Sequence, residues 1–267
     1  MFSVIFPGQG SQIVGMGKEF YDKFDFVKKL FKEADEIINF SLSKLILEGP
    51  KDELDLTINT QPSIFLISYS IFNVIKNEFN IDLNKAKYFA GHSVGEYSAL
   101  ATAGFLNFSD TIKLLKLRGD AMQNAIPEGE GGMLAVLGAK LEIIEKILKE
   151  NENNFRVHIA NDNCEGQIVL SGKNLDLNNL VSILKLNNIK NIKLSVSGPF
   201  HSKLMSKATD IMKKEIEREA GERRTENASA SVGVEKKDAK YRAETFLASA
   251  LEINACREWS LGMGSMH

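Results

Sequence analysis

The sequence predicts an α/β fold in which a ferredoxin-like unit is inserted into a main body of strands and helices. Two observations lead there. A short apolar strand at Tyr88-Phe89-Ala90 runs into the tight turn Gly91-His92-Ser93-Val94-Gly95, and a stretch rich in helix formers, Val94–Thr102, follows it. Farther on, residues 133–195 read as strand, helix, strand, strand, helix, strand, the element order of a ferredoxin-like unit.

The elements follow in order. Ser3–Phe6 reads as a short buried strand ending at Pro7-Gly8, and Gly8–Gln12 as a turn-forming loop. Helical periodicity covers Phe26–Ile38, Ser63–Glu78 and Ser109–Ala125, with Ser109 as the N-cap of the last. In the inserted unit the strands are Met133–Leu137, Arg156–Ala160, Gln167–Leu170 and Asn191–Ser195. Its helices are Leu141–Glu150 and Leu175–Leu186, and Asn-rich stretches at 151–154 and 187–191 supply turns. The expected organisation is a core of residues 1–126 and 197–216, an insertion of 127–196, and an atypical tail of 217–267.

Composition limits the function classes. The chain is 43% hydrophobic and 25% charged, with net charge −2, a soluble globular profile without the basic field that nucleic acid would attract. The N-terminal apolar run meets Pro7-Gly8 too soon for a signal peptide, and nothing approaches a membrane span. Cys164 and Cys256 are too few for a disulfide framework or a metal site, so a reducing, cytoplasmic setting is expected. The vocabulary changes at Glu217. Only Arg118 and Arg156 are arginines before it, whereas Arg218, Arg223, Arg224, Arg242 and Arg257 crowd the remainder. A natural variable tail, a disordered linker and a shifted reading frame each account for such a break, and Tyr241–Ile253 could form a short amphipathic helix.

Gly91-His92-Ser93-Val94-Gly95 has the strand before it and the helix after it that a nucleophile elbow requires. Ser93 would stand at a helix N-terminus, where backbone dipoles favour developing negative charge. A serine hydroxyl needs a base. Of the four histidines, His92 adjoins the nucleophile and should point elsewhere, His158 lies mid-strand as a packing residue, and His267 is terminal. His201, in Gly198-Pro199-Phe200-His201-Ser202, remains, either as the base or as a buried or capping structural histidine. One oxyanion donor would be the Val94 N–H. The Gly8-Gln9-Gly10 loop either offers a second or is a plain strand-to-helix turn. Arg118 stands where lysine fills the other basic positions. Its planar fork suits a carboxylate, although an exposed arginine is the plainer alternative.

Taken together, these residues resemble the malonyl-CoA:acyl-carrier-protein transacylases of bacterial fatty acid synthesis. The matching pieces run in family order: Phe6-Pro7-Gly8-Gln9-Gly10-Ser11-Gln12, Thr60-Gln61-Pro62, Gly91–Leu100, Arg118-Gly119 with Met122-Gln123, Pro127-Glu128-Gly129, Asn161-Asp162-Asn163, Gly166-Gln167, Ser171-Gly172 and Pro199-Phe200-His201-Ser202. The resemblance covers residues 1–216. It implies an α/β-hydrolase-like core with a parallel sheet and the inserted ferredoxin-like unit. It also implies Ser93 as the nucleophile, His201 as its base, the Gln9 and Val94 backbone N–H groups as the oxyanion hole, Arg118 as the partner of the malonate carboxylate, and Gln61 and Gln123 as pocket residues. Malonyl-CoA and an acyl carrier protein would be the substrates, with no cofactor or metal, no nucleic acid or membrane partner, and a monomeric chain.

The family continues past the histidine with a Tyr-x-x-Pro-Val-x-Trp motif and a Gly-Pro-Gly-x-x-Leu motif that are not found after Ile216. A carbonyl from that region would orient the histidine, so the expectation is a chain impaired or destabilised relative to intact relatives. The competing functions are a polyketide-type acyltransferase, a serine esterase and an inactive truncated remnant.

Overall fold

The computed structural model describes residues 2–79, 81–194, 196 and 198–229, and divides into two compact units. The first holds residues up to Asp120 together with the segment from Met212, and the second holds Ala121–Ile211. The suggested helix at Tyr241–Ile253 lies outside the described residues.

In the first unit, strand β1 (Ser3–Phe6) lies parallel to β2 (Tyr88–Gly91), pairing Ser3 with Tyr88 and Phe6 with Gly91. Between them run the helices α1 (Lys18–Lys23), α2 (Asp25–Ile38), α3 (Leu42–Glu48), α4 (Lys51–Leu54) and α5 (Thr57–Glu78). After β2 come α6 (Val94–Thr102) and α7 (Phe108–Gln123). Phe6, Phe72, Leu83 and Ala99 form an apolar cluster linking β1, α5 and α6. Strand β1 is less buried than expected. Phe6 is buried but Ile5 is 77% exposed, because among the described residues β1 has only β2 as a neighbour.

Helix α5 begins at Thr57, six positions before the expected Ser63. Thr57, Asn59, Thr60, Gln61 and Ser63 are all buried there. Burying polar groups is tolerable only when they are bonded. The Thr60 hydroxyl donates to the Leu54 carbonyl at 2.6 Å, and that of Ser63 to the Asn59 carbonyl at 2.7 Å. Helix α7 is capped by Asn107, not by Ser109. The Asn107 Oδ1 accepts from the Asp110 N–H at 2.8 Å, and Ser109 lies inside the first turn.

In the second unit, β3 (Gly131–Leu137), α8 (Leu141–Glu150), β4 (Val157–Cys164), β5 (Gln167–Lys173), α9 (Asn174–Leu186) and β6 (Lys190–Lys193) build an antiparallel sheet in the order β4-β5-β3-β6. This is the ferredoxin-like arrangement. Leu134, Val136, Ile144, Leu170, Leu180 and Leu184 pack its core. Strand β4 runs past the expected end at Ala160, so Asn161-Asp162-Asn163 is strand, with register irregularities between Ile159 and Asn161 and between Asp162 and Cys164. Helix α10 (Ser206–Ser229) continues through the composition break at Glu217. No helix among the described residues is long and apolar enough to cross a membrane.

If Asn107 is the cap, Asn107→Ala should lower unfolding free energy by about 1 kcal/mol. Ser109→Ala should be neutral within roughly 0.5 kcal/mol. Urea denaturation of the two variants separates them, and equal losses would contradict the assignment.

Candidate active site

The turn between β2 and α6 has no room for side chains on either flank of Ser93. A Cβ on Gly91 would lie 2.0 Å from the carbonyl carbon of Gly95, and a Cβ on Gly95 would lie 2.5 Å from the Phe6 carbonyl oxygen. Ser93 itself adopts φ 52° and ψ −111°, a conformation that non-glycine residues rarely visit and that costs on the order of 1–3 kcal/mol. The surroundings over-determine it. The His92 N–H donates to the Phe6 carbonyl at 3.1 Å, the Gly95 N–H to the His92 carbonyl at 2.9 Å and the Glu96 N–H to the Ser93 carbonyl at 3.0 Å. The elbow is thereby bolted to the end of β1, and Ser93 becomes the N-cap of α6. Its side chain is half-buried and that of His92 is exposed.

Arg118 is 4% exposed. It is brought in by a close helix crossing. A Cβ on Gly119 would lie 2.6 Å from the Ile58 Cα and 2.7 Å from the Thr57 carbonyl oxygen, so α7 meets the first turn of α5 backbone to backbone. At that distance Arg118 Nη1 donates to Gln61 Oε1 at 2.7 Å and Nη2 donates to Ser93 Oγ at 3.3 Å. The guanidinium carbon lies 5.6 Å from the ring centroid of Tyr97, itself 2% exposed. Burial lowers the Arg118 pKa and pushes that of the Tyr97 hydroxyl up to about 12, so the tyrosine is neutral at neutral pH. A guanidinium is not deprotonated in proteins, so burial makes the Arg118 charge costly without removing it. Glu96 acts on Arg118 only through space. Among the described residues no carboxylate forms an ion pair with Arg118, and its Nε–H has no acceptor. A buried cation lacking a counter-ion is costly by several kcal/mol, and an anionic ligand relieves that cost.

Ser93, Gln61 and Arg118 therefore meet in one place. Gln9 lies in the loop after β1, its side-chain Nε2 donating to Thr57 Oγ1 at 3.2 Å, and Val94 opens α6. Among the described residues neither backbone N–H of this pair has an acceptor. His201 and Gln123 belong to the second unit. Gln123 is half-buried at the end of α7. His201 takes φ 55° in a turn held by Ser202, whose hydroxyl donates to the Pro199 carbonyl at 2.7 Å and accepts from the Leu204 N–H at 3.3 Å. Besides Ser93 and His201, the described non-glycine residues with positive φ are Asn39 and Asn188, a residue type that tolerates that region. His158 sits near the start of β4, where burial and then the charge of Lys203 lower its pKa. Tyr97 is the residue that sequence reasoning missed. Its signal was an aromatic one turn after the nucleophile, on the helix face carrying Ser93.

An α/β core with a serine elbow and an inserted ferredoxin-like unit defines a serine acyltransferase, and the acyl transferase domain family matches residues 3–253. A malonyl CoA-acyl carrier protein transacylase of Bacillus subtilis is 43% identical over 244 residues, covering 89% of this chain and 76% of that protein. The crystal structure of the malonyl CoA-acyl carrier protein transacylase from Clostridium perfringens matches with a TM-score of 0.75 at 37% identity, over 81% of this chain and 67% of that one. The malonyl-transacylase in a holo complex with a type II PKS acyl-carrier protein matches with a TM-score of 0.81 at 30% identity, over 98% of this chain and 86% of the other. The chain belongs to the malonyl CoA-acyl carrier protein transacylase family.

The crossing at Gly119 sets where the guanidinium sits. Gly119→Ala should destabilise the protein by about 1–3 kcal/mol through the added contact and raise KM for malonyl-CoA. Thermal melting and initial rates check this, and an alanine variant as stable as the parent would contradict the close crossing.

Proposed function

We propose that this chain moves a malonyl group from malonyl-CoA to the phosphopantetheine thiol of an acyl carrier protein through a malonyl-Ser93 ester. The observation that carries the reading is the buried guanidinium, 3.3 Å from the serine oxygen and without a counter-ion among the described residues. In malonyl-CoA the free carboxylate lies one methylene from the thioester carbonyl. A carboxylate paired to Arg118 therefore leaves that carbonyl within reach of Ser93, and acetyl-CoA offers no such handle. Gln61 holds the other arm of the guanidinium and Tyr97 lies against it, so little reorganisation is needed when the substrate arrives.

The Ser93 hydroxyl gives its proton to His201 as its oxygen attacks the thioester carbonyl. The family resemblance assigns His201 this role. The tetrahedral oxyanion accepts hydrogen bonds from the Gln9 and Val94 N–H groups. The C–S bond breaks, His201 returns the proton to the departing sulfur, and coenzyme A leaves with the malonyl ester on Ser93. In the second half the carrier's thiol gives its proton to His201 and its sulfur attacks the ester. The C–O bond then breaks and the proton returns to Ser93. Gln123 is assigned to the wall of the pocket. The chemistry calls for no metal or redox cofactor. The complex of a related transacylase with its acyl-carrier protein supports the carrier as second substrate. A serine esterase has no use for a buried cation beside its nucleophile.

Arg118→Ala should reduce kcat/KM for malonyl-CoA by roughly 10- to 100-fold, as expected for losing a hydrogen bond to a charged group. The rate with acetyl-CoA should change little, so the preference between the two narrows. Competition between the two thioesters, with transfer to holo carrier protein followed by mass, measures this. An unchanged preference would remove the assigned role of Arg118.

A further inference from the structure

The loop that carries the Gln9 amide has no regular secondary structure, yet its geometry is fixed by side chains from a distant part of the same unit. Gln12 is the centre of the arrangement. Its Oε1 accepts from the Gly10 N–H at 2.8 Å, and its Nε2 donates to Asp55 Oδ1 at 2.8 Å. The other oxygen of Asp55 is paired with Lys51, one turn earlier. Asp55 sits at the end of α4, two residues before Thr57, the first residue of α5 and the acceptor of the Gln9 side chain. Ser11 Oγ closes the loop on itself by donating to the Gly8 carbonyl at 2.9 Å. The segment from Gly8 to Gln12 is therefore stitched at Gln9 and at Gln12 to one short stretch, residues 55–57, and Gly10 is held to that stretch through Gln12. That stretch also opens the helix holding Gln61 beneath Arg118.

We propose that Gln12 and Asp55 are positioning residues for acyl transfer, setting the direction of the Gln9 N–H through the Gly10 peptide. Gly10 has φ 107°, a region that glycine enters freely, so its neighbouring peptides can rotate unless something holds them. The Gln12 amide is the group that holds the Gly10 N–H. Its own orientation is fixed because its NH2 must face a carboxylate, which accepts and cannot donate. Asp55 thus sets which way the Gln12 amide is turned, and the amide sets the loop. Neither residue touches the reacting atoms. This inference rests on the reading of Gln9 as an oxyanion donor.

The test is the rate of malonyl-Ser93 formation by rapid quench, with KM for malonyl-CoA and the melting temperature, in the full chain. Removing an oxyanion donor outright lowers kcat by about 10²–10³, and mis-aiming one should lower it by about tenfold. Gln12→Ala and Asp55→Ala should each show that loss with KM within about twofold of the parent, since ground-state binding is untouched. Asp55→Asn should restore most of the rate, because its side-chain oxygen can still accept from Gln12. The double variant should be no slower than either single one, because the two residues act in series. Full kcat in Gln12→Ala, or losses that multiply in the double variant, would overturn the proposal. A rise in KM with kcat unchanged would do so as well. Ser93→Ala separates the two levels. If it abolishes acylation while Gln12→Ala does not slow it, the transacylase reading stands and this inference falls. If Ser93→Ala still forms the adduct, the underlying reading falls.

Discussion

Between β2 and α6 the backbone turns through Ser93 with glycine on both flanks, and each flanking position is closed to any larger residue by backbone atoms. Gly91 faces the carbonyl of Gly95, and Gly95 faces the carbonyls that end β1. The rest of the first unit is arranged around that jam. Because the elbow touches the end of β1, the loop following β1 starts beside the nucleophile. Because α6 starts at the elbow, the first N–H groups of a helix stand next to the serine oxygen, where negative charge develops in acyl transfer. The strained conformation of Ser93 survives because three backbone hydrogen bonds and the β1–β2 pairing over-determine it.

Against this fixed serine the structure sets a charge that no described residue neutralises. Gln61 and Ser93 give the guanidinium of Arg118 two hydrogen bonds, and Tyr97 gives it a ring face, but these are dipoles and a quadrupole and supply no opposite charge. Replacing the site by apolar side chains of similar volume would often be neutral or stabilising. Retaining a buried cation there makes sense as stored affinity for a carboxylate. The polar first turn of α5 belongs to the same economy. It brings Gln61 to Arg118, Thr57 to Gln9, and Asn59 to Lys116 at 3.1 Å, each at a point where an apolar helix face would have been easier to bury.

The sequence showed the elbow and the ferredoxin-like unit clearly because both depend on local signals: glycines at fixed offsets and strands with helices of ordinary length. It misplaced the start of α5 because Thr57, Asn59, Thr60 and Gln61 are polar and Pro62 reads as a breaker. Their burial is compensated by partners that only the folded chain places within reach: the Glu53 and Leu54 carbonyls for Asn59 and Thr60, the Gln9 side chain for Thr57 and Arg118 for Gln61. Ser109 looked like a cap for the same reason that Asn107 is one, both being short polar residues, and only the side-chain geometry separates them. The buried state of Arg118 was one of two readings of an isolated arginine, and Gly119, the residue that decides it, carries no signal until its contact with Ile58 is seen. Tyr97 likewise becomes meaningful only beside α7.

The most direct measurement is the intact mass of the protein after brief exposure to malonyl-CoA, set beside Ser93→Ala. The account predicts one malonyl adduct on the parent, none on the variant, and loss of the adduct when holo acyl carrier protein is added. An adduct on both proteins, or none on folded parent protein, would contradict it.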